Sequence, residues 1–465
     1  MVERSDMLGN ESIGKLLLRL SIPATIGMIV QALYNLVDTI FVGQGVGLLG
    51  IAGVSVAFPI QMIIMSFAQM FGIGGASLIS RRLGAKDVDN AELTMGNVFS
   101  LVLIMSALVA IFGSIYIEPL LRLFGATEDI MPYAVDYMSV ILYGTIFFSF
   151  AMASSHIIRS EGNARIAMNT MLISAGLNVI LDPIFIYDVI PFLNIPGLNM
   201  GTRGAALATV LAQVTTVVYL AFYFIKGKSL VRFRVKNLKL RIPIIIEIIT
   251  IGLSSFTRSV AASLLTIVLN NSLAIYSGSL GIAVYGVIHK LIMFTLMPMF
   301  GIVQGLQPII GYNFGAKQPE RVRLALKTGI KVAVGISTLG FILLMFFTDT
   351  MISIFNNDPE LLKVGTHALR VVILVFPLVG FQVVGSGYFQ AVGKAVPALI
   401  LSMSRQLLFL IPLILVLPLV FGLEGIWAAF PIADLLSIIL TFIVLSRDIR
   451  VLNNNILLKG RHNES

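Results

Sequence analysis

Long apolar runs, separated by short polar stretches or by glycine and proline, extend over nearly the whole chain. A helix needs about 20 mostly apolar residues to cross a bilayer, and twelve runs meet this requirement. We number them spans 1 to 12, and they lie near residues 15–43, 51–79, 92–117, 131–157, 165–187, 203–225, 243–271, 282–312, 324–348, 361–390, 396–421 and 425–446. The pattern therefore predicts an all-α polytopic membrane protein with twelve transmembrane helices.

Composition indicates the same class of protein. Hydrophobic residues make up 57% of the 465 residues and charged residues only 12%, whereas soluble domains contain about 25% charged residues. The N-terminus shows no cleavable signal pattern, so span 1 is expected to stay as a membrane anchor. Cysteine is absent, which excludes disulfides, thiolate metal sites and cysteine nucleophiles. The net charge of +9 is expected to serve contacts with anionic lipid, and we expect no nucleic-acid partner.

The distribution of lysine and arginine between alternate loops predicts the orientation. With the N-terminus inside, the basic residues of the outer loops are only Arg122, Arg203, Lys363 and Arg370. The inner loops hold most of the others, and seven lie in the segment 226–241 alone. Because cytoplasmic loops are enriched in Lys and Arg, both termini are expected on the cytoplasmic side of the plasma membrane. We expect the protein to act there as a monomer.

An internal repeat divides the chain into two halves. Leu83–Lys86 recurs as Phe314–Lys317, and Gly50–Ala52 recurs as Gly281–Ala283, both at the same offset along the chain. Two six-span bundles in the same orientation form a parallel repeat, related by an axis along the membrane normal. The predicted division is a first six-helix lobe at 1–225, a basic linker at 226–242, a second lobe at 243–446 and a cytoplasmic tail at 447–465.

Two acids in the first half have no counterpart in the second. Asp38 is the only carboxylate in span 1, and Asp182 lies in span 5, but the repeat places Leu269 and Leu413 at the equivalent positions. A carboxylate in the middle of a span costs about 2.5–3.5 kcal/mol on insertion scales. Packing needs would be similar in both halves, so the pattern indicates a functional role for the two aspartates.

Neutral oxygen ligands accompany these acids at helical spacing. Asn178 lies one helical turn before Asp182 on span 5, and Ala205 and Thr209 have the same spacing on span 6. Pro183 cannot donate a backbone hydrogen bond, which frees a carbonyl near the carboxylate. The set suits a hard cation such as Na⁺, held by Asp38, Asn178, Asp182 and Thr209, and it suits equally a proton shared by two close carboxylates. The alternative is that the acids only hydrogen-bond neighbouring helices.

The second half carries cations inside or close to its spans. These residues, with one acid on span 12, are Arg258, His289, Lys290, Arg405 and Asp434. They either form a buried network of ion pairs or a polar wall of a substrate cavity. On span 1, Pro23 is a candidate hinge, because a proline inside a helix removes one backbone hydrogen bond; the alternative is a passive kink.

Several motifs resemble those of the multidrug and toxic compound extrusion (MATE) family, in its prokaryotic branch with a cation site in the first lobe. They are Ile22–Ala24, Tyr34–Thr39, Phe41–Gly43, Arg81–Ala85, Arg159–Asn163, Leu177–Pro183 and Gly204–Thr209. The resemblance implies two lobes of six helices and export of small organic compounds in exchange for Na⁺ or H⁺. It also implies a cation site at Asp38, Asn178, Asp182, the Ala205 carbonyl and Thr209. No cofactor beyond the coupling ion is implied.

Two other functions compete with a cation-coupled antiporter. One is a flippase or exporter of a lipid-linked or anionic substrate, which the basic second half favours. The other is an intramembrane enzyme, but Asp182 lacks the Gly-x-Gly-Asp context of intramembrane aspartyl proteases, and Gly74–Ser77 lacks the glycine that follows a rhomboid serine. We therefore expect a transporter without enzymatic activity.

Overall fold

The computed structural model describes residues 7–190, 194–227, 229–355 and 357–463, with the backbone alone described from residue 453 onward. Six separate helices form the spans of the first half. Their bounds are Ile13–Gly45, Leu48–Gly84, Val88–Ile115, Met131–Ser160, Ala164–Ile186 and Gly201–Ile225. Each is long and apolar enough to cross a membrane, and each matches one of the predicted spans 1 to 6.

Spans 7 and 8 are two helices that follow each other without a loop over Ile242–Gly315, a stretch of 74 residues. A straight helix of this length would extend over about 110 Å at 1.5 Å per residue, whereas a bilayer core is only about 30 Å thick. The stretch is interrupted at Gly278, where φ is 61° and ψ is −148°. This positive φ favours glycine, and it marks the turn between the two spans.

The remaining spans are less regular than the sequence predicts. Span 9 is Pro319–Phe346, span 11 runs over Ala395–Val416 with a π-helical turn at Ser404–Leu410, and span 12 lies in the helix Pro418–Asn463. Span 10 is a pair of helices, Pro359–Val372 and Phe376–Ala391, bent by 52° at their junction. With this pair counted once and Ile242–Gly315 counted twice, the described chain has twelve spans.

Short elements connect the spans. They are the helices Ile117–Leu123 and Thr348–Ser353, the 3-10 turn Val235–Leu238, and the two-stranded antiparallel sheet of β1 (Val189–Ile190) and β2 (Ile195–Pro196). The sheet closes the connection between spans 5 and 6. Outside the sheet, the Met200 amide donates to the Phe185 carbonyl over 2.8 Å and joins the adjoining ends of the two spans.

Residues with a positive φ occur at equivalent positions of the two halves. Gly47 and Gly278 are separated by the same offset as the repeated motifs, and both lie at the turn between the first two spans of a half. Lys86 and Lys317 show the same spacing and also have positive φ, at 62° and 54°. The backbones of the two halves therefore follow one plan even where their side chains differ.

The described chain divides into two compact units whose contents differ from the predicted division in two stretches. The first unit contains Ile26–Gly252, so it includes the linker and the start of span 7. The second unit contains the part of span 1 that ends at Thr25, together with the chain from Leu253 onward. Spans 1 and 7 therefore each contribute to both units.

Close helix contacts fix the start of span 7 within the first unit. A Cβ atom at Gly74 would lie 2.0 Å from the Ile248 carbonyl oxygen, and one at Gly252 would lie 2.0 Å from the Met70 carbonyl oxygen. Small residues at a crossing allow helix backbones to approach closely within a membrane. Arg81 also pairs with Glu247 over 2.8 Å beside this crossing, so the linker begins and ends on the same unit.

Each unit has its own apolar core. The core of the first unit includes Tyr137, Met138 and Leu142 on span 4. The core of the second unit surrounds Trp427, which is fully buried on span 12.

Candidate cation site

Asp38 and Asp182 meet inside the first unit. Asp38 is 9% exposed and Asp182 is fully buried. Their carboxyl groups lie within hydrogen-bonding reach of each other, although they come from spans 1 and 5, far apart in the chain. The aspartates that stand out in the sequence therefore occupy one place, and a proton on either would bridge the pair.

Asn178 and Thr209 complete the group of polar residues around the acids. Asn178 is 1% exposed, and its side-chain amide nitrogen donates to Thr209 Oγ1 over 3.1 Å. This bond joins span 5 to span 6 at the level of the acids. It also orients the amide so that Asn178 Oδ1 remains available as an oxygen ligand.

Four buried oxygens at this place receive no hydrogen bond from any described residue. They are Oδ1 of Asp38, Oδ1 and Oδ2 of Asp182, and Oδ1 of Asn178. A buried polar atom without a partner costs about 1–3 kcal/mol, and more if the group is charged. The arrangement therefore favours any species that supplies positive charge to these oxygens.

No described lysine or arginine forms an ion pair with either aspartate. Two unit charges about 4 Å apart repel by about 4 kcal/mol at an effective dielectric constant of about 20. Among the described residues there is no cluster of three or more His, Asp or Glu side chains that could hold a metal ion. The negative charge of two carboxylates can be balanced by one or two monovalent cations, which the neutral oxygens would help to bind. Protons can balance the same charge.

Two tyrosines near the acids are not among the predicted site residues. Tyr34 lies one turn before Asp38, and its side chain reaches the Thr209 hydroxyl. Tyr137 on span 4 accepts a hydrogen bond of 3.1 Å from Gln61 and lies close enough to interact electrostatically with both aspartates. The helical spacing from Asp38 was a signal for Tyr34, but nothing near Tyr137 in the sequence points to the site.

Three other residues of the first half are predicted to take part: Ala205 and the prolines at 183 and 23. Ala205 is fully buried in the apolar core that also contains Tyr137, one turn before Thr209 on span 6. Pro183 lies inside the helix Ala164–Ile186 and directly follows Asp182. Pro23 lies inside Ile13–Gly45, just before the point where span 1 passes from one unit to the other.

The charged residues of the second half form no single cluster within the described ranges. Arg405 and Asp434 form a buried ion pair in which Asp434 is 3% exposed. His289 lies near Arg405 and contacts the Tyr285 hydroxyl over 3.3 Å. Of the two interpretations of these charged residues, a buried ion pair applies to Arg405 and Asp434.

Neither Lys290 nor Arg258 forms an ion pair with a residue that the structure describes. The Lys290 ammonium group lies 5.8 Å from the centre of the Phe355 ring. Arg258 is half-buried on span 7, and among the residues that the structure describes none forms an ion pair or hydrogen bond with its side chain.

A sequence profile of the MatE family matches the chain twice, over residues 23–184 and 254–416. The chain belongs to the MatE family. The starts of the two matches are separated by the same offset as the motifs of the repeat. The matches cover the stretch from Pro23 to beyond Asp182 in the first half, and the equivalent stretch in the second half.

Relatives of known function or structure cover almost the whole chain. The multidrug export protein MepA of Staphylococcus haemolyticus is 28% identical over 436 residues, which is 94% of either chain. The solved structure of the MATE multidrug transporter DinF-BH with a bound ligand is 46% identical, covers 96% of this chain and 98% of its own, and has a TM-score of 0.87. The twelve-span fold is thus that of MATE transporters, and the chain is a multi-pass membrane protein of the multidrug efflux class.

A third relative has a different binding pocket. It is a transporter of the MOP superfamily from Pyrococcus furiosus, 29% identical, covering 96% of this chain and 98% of its own with a TM-score of 0.88. Its structure is described as having a binding pocket of reverse polarity, which suggests a different function. The fold thus accommodates pockets of more than one polarity.

Proposed function

We propose that this protein exports small organic compounds across the plasma membrane in exchange for Na⁺ or H⁺, with both termini in the cytoplasm. The observation that carries the proposal is the pair Asp38 and Asp182, buried together without a basic partner among the described residues. The similarity to multidrug exporters supports the class of substrate.

The coupling step follows from charge. Without a bound cation, the two carboxylates repel each other in a medium of low dielectric constant. A Na⁺ ion or a proton removes this repulsion and draws spans 1, 5 and 6 toward the site. Pro23 then allows span 1 to bend, and the lobes rock to release the substrate outside.

Dye efflux from proteoliposomes tests the proposal. Vesicles loaded with a cationic rhodamine dye are given an inward Na⁺ gradient or an inward proton gradient in separate experiments, and dye release is followed by fluorescence. Release by the wild-type protein is expected to accelerate with one of the gradients, and Asp38→Asn is expected to abolish the acceleration. Asp129→Asn, which removes an exposed carboxylate between spans 3 and 4, is the matched control. Gradient-driven efflux that survives in Asp38→Asn would refute the coupling role.

Arg258 favours a second candidate, export of an anionic or lipid-linked substrate. A half-buried arginine in a span is costly, and none of the described residues neutralises it. An anionic group on the substrate would supply the missing charge. Arg258→Gln is then expected to reduce efflux of anionic dyes and to leave efflux of cationic dyes unchanged; equal effects on both would exclude this candidate.

A further inference from the structure

The linker at 226–242 is fastened to the first unit by a buried carboxylate. Glu161 follows the last residue of span 4 and is fully buried. It accepts hydrogen bonds from the backbone amides of Leu230 over 3.1 Å and Val231 over 3.4 Å. It also accepts from the hydroxyls of Ser229 and Tyr223. One carboxylate therefore holds the first part of the linker through its backbone.

The start of span 3 holds the rest of the linker. Glu92, which is 3% exposed, accepts from the Arg232 amide over 3.2 Å and pairs with the Arg234 side chain over 3.0 Å. Asn97 accepts from the Arg241 amide over 2.7 Å, and Ser100 donates to the Leu238 carbonyl over 2.7 Å. Residues 229–241 of the linker are thus held against the first unit by these hydrogen bonds.

This fastening turns alternate basic and apolar side chains outward. The exposed basic residues are Arg232, Lys236, Lys239 and Arg241. The exposed apolar residues between and beside them are Phe233 (40%), Val235 (74%), Leu240 (43%) and Ile242 (71%). Of the basic residues in the described linker, only Arg234 has an acidic partner among the described residues.

The position of the linker places this surface at the edge of the membrane. Span 6 ends at Ile225 and span 7 begins at Ile242, so both ends of the linker leave the bilayer on the same side. Large apolar side chains are unfavourable in water, and basic side chains are attracted to anionic headgroups. Amphipathic helices that combine both kinds of side chain lie in the interface of anionic membranes, and the same two interactions are open to a linker whose backbone is already fixed.

We propose that the linker is a binding surface for anionic phospholipid. Arg232, Lys236 and Lys239 contact phosphate groups, while Phe233 and Val235 enter the boundary between headgroups and acyl chains. Because Glu161 and Glu92 already hold the backbone, the surface is preorganised and little conformational entropy is lost on binding. This inference depends on the multi-pass location of the chain and is independent of which cation drives transport.

The absence of cysteine allows a single reporter in the linker. Val235→Cys, labelled with an environment-sensitive fluorophore, is placed in nanodiscs of phosphatidylcholine with or without phosphatidylglycerol. Phosphatidylglycerol is expected to shift the emission to shorter wavelength. The variant Arg232→Gln, Lys236→Gln, Lys239→Gln on the same background is expected to lose the shift, and its affinity for phosphatidylglycerol in detergent is expected to fall about 100-fold.

Two further variants separate this proposal from general effects of charge and folding. The variant Arg323→Gln, Lys327→Gln, Lys331→Gln removes three exposed basic residues of span 9 and is expected to leave the shift unchanged. Phe233→Ser keeps the linker charges and is expected to keep the preference for phosphatidylglycerol with a smaller shift. The proposal fails if both lipids give the same emission, or if the linker variant binds phosphatidylglycerol as tightly as the unsubstituted linker does.

Discussion

Asn178 donates its side-chain amide to Thr209 Oγ1 over 3.1 Å, and its amide oxygen is left without a described partner one turn from Asp182. The hydrogen bond fixes the orientation of the amide, because the nitrogen must face span 6. The oxygen therefore faces away from the Thr209 hydroxyl and stays free to act as a ligand of a cation.

Thr209→Val is expected to weaken binding of the coupling cation without changing the fold. Valine has nearly the same shape but cannot accept the Asn178 hydrogen bond, which is worth about 0.5–1.5 kcal/mol. The concentration of Na⁺, or of protons, that gives half-maximal dye efflux is expected to rise about 2- to 10-fold. Thr215→Val is the control, because Thr215 is exposed on the same span and bonds only to its own helix. An unchanged midpoint in Thr209→Val would remove the threonine from the site.

Asp38→Asn is expected to stabilise the protein while it abolishes coupling. In Na⁺-free buffer at neutral pH, replacing the Asp38 carboxylate by a neutral amide removes a buried charge that has no basic partner among the described residues, so the free energy of unfolding is expected to rise by roughly 1–3 kcal/mol. The gain is expected to shrink at acidic pH, where proton binding already neutralises the wild-type pair. Thermal unfolding in detergent with and without Na⁺ measures both effects. Destabilisation at neutral pH would show that the carboxylate has a partner that keeps it charged.

Pro23→Ala tests whether span 1 bends where it passes from one unit to the other. Alanine restores the backbone hydrogen bond that proline cannot make, so the helix is expected to become stiffer. The maximal rate of efflux is expected to fall, while the affinity for the coupling cation stays the same. Pro59→Ala is the matched control, since Pro59 lies inside a span that belongs wholly to the first unit. Equal losses in the two variants would argue against a special role for Pro23.

The Arg405–Asp434 pair is expected to be needed for stability. When one partner of a buried ion pair is removed, an uncompensated charge remains and the cost is about 3–5 kcal/mol. Arg405→Met is therefore expected to be strongly destabilising, and the double variant with Asp434→Leu is expected to recover most of the loss. A double-mutant cycle on unfolding in detergent measures the coupling. If the single and double variants are equally stable, the pair is not buried as described.

Glu161 is expected to make the free energy of unfolding depend on pH. Burial raises the pKa of Glu161 from 4.5 to about 7, although hydrogen bonds from Ser229 and Leu230 oppose this shift. The folded state therefore binds the proton more tightly than the unfolded state does, and the stability that is fully present below pH 4.5 is lost as the pH rises through about 7. The shift corresponds to about 3 kcal/mol.

Thermal unfolding between about pH 5 and pH 8 measures this dependence. In the wild-type protein, the contribution of Glu161 to stability is expected to be larger at about pH 5 than at about pH 8. Glu161→Gln is expected to lose this part of the pH dependence. A wild-type and a Glu161→Gln profile that run parallel over this range would contradict the assignment.

The amino-acid sequence by itself determined the membrane class, the number of spans, the repeat and the identity of the two unusual acids. Each of these depends on a local property, such as the length of an apolar run or a charge where the other half has leucine. The prediction that Asp38, Asn178, Asp182 and Thr209 form one group came from helical spacing and resemblance to a family. The structure brings these residues together, and their role as a cation site stays a proposal.

Only the tertiary structure decided which distant residues share a site or a surface. Tyr137 reaches the aspartates from span 4, and Glu161 holds a linker that begins only after two further spans. Likewise, Arg405 forms an ion pair with Asp434, whereas Arg258 has no such partner among the described residues. The physical reason is that hydrophobic burial in a bilayer fixes where a helix lies along the membrane normal, but not which neighbour it packs against. The close helix crossings, the turns and the backbone hydrogen bonds of the linker determine those neighbours.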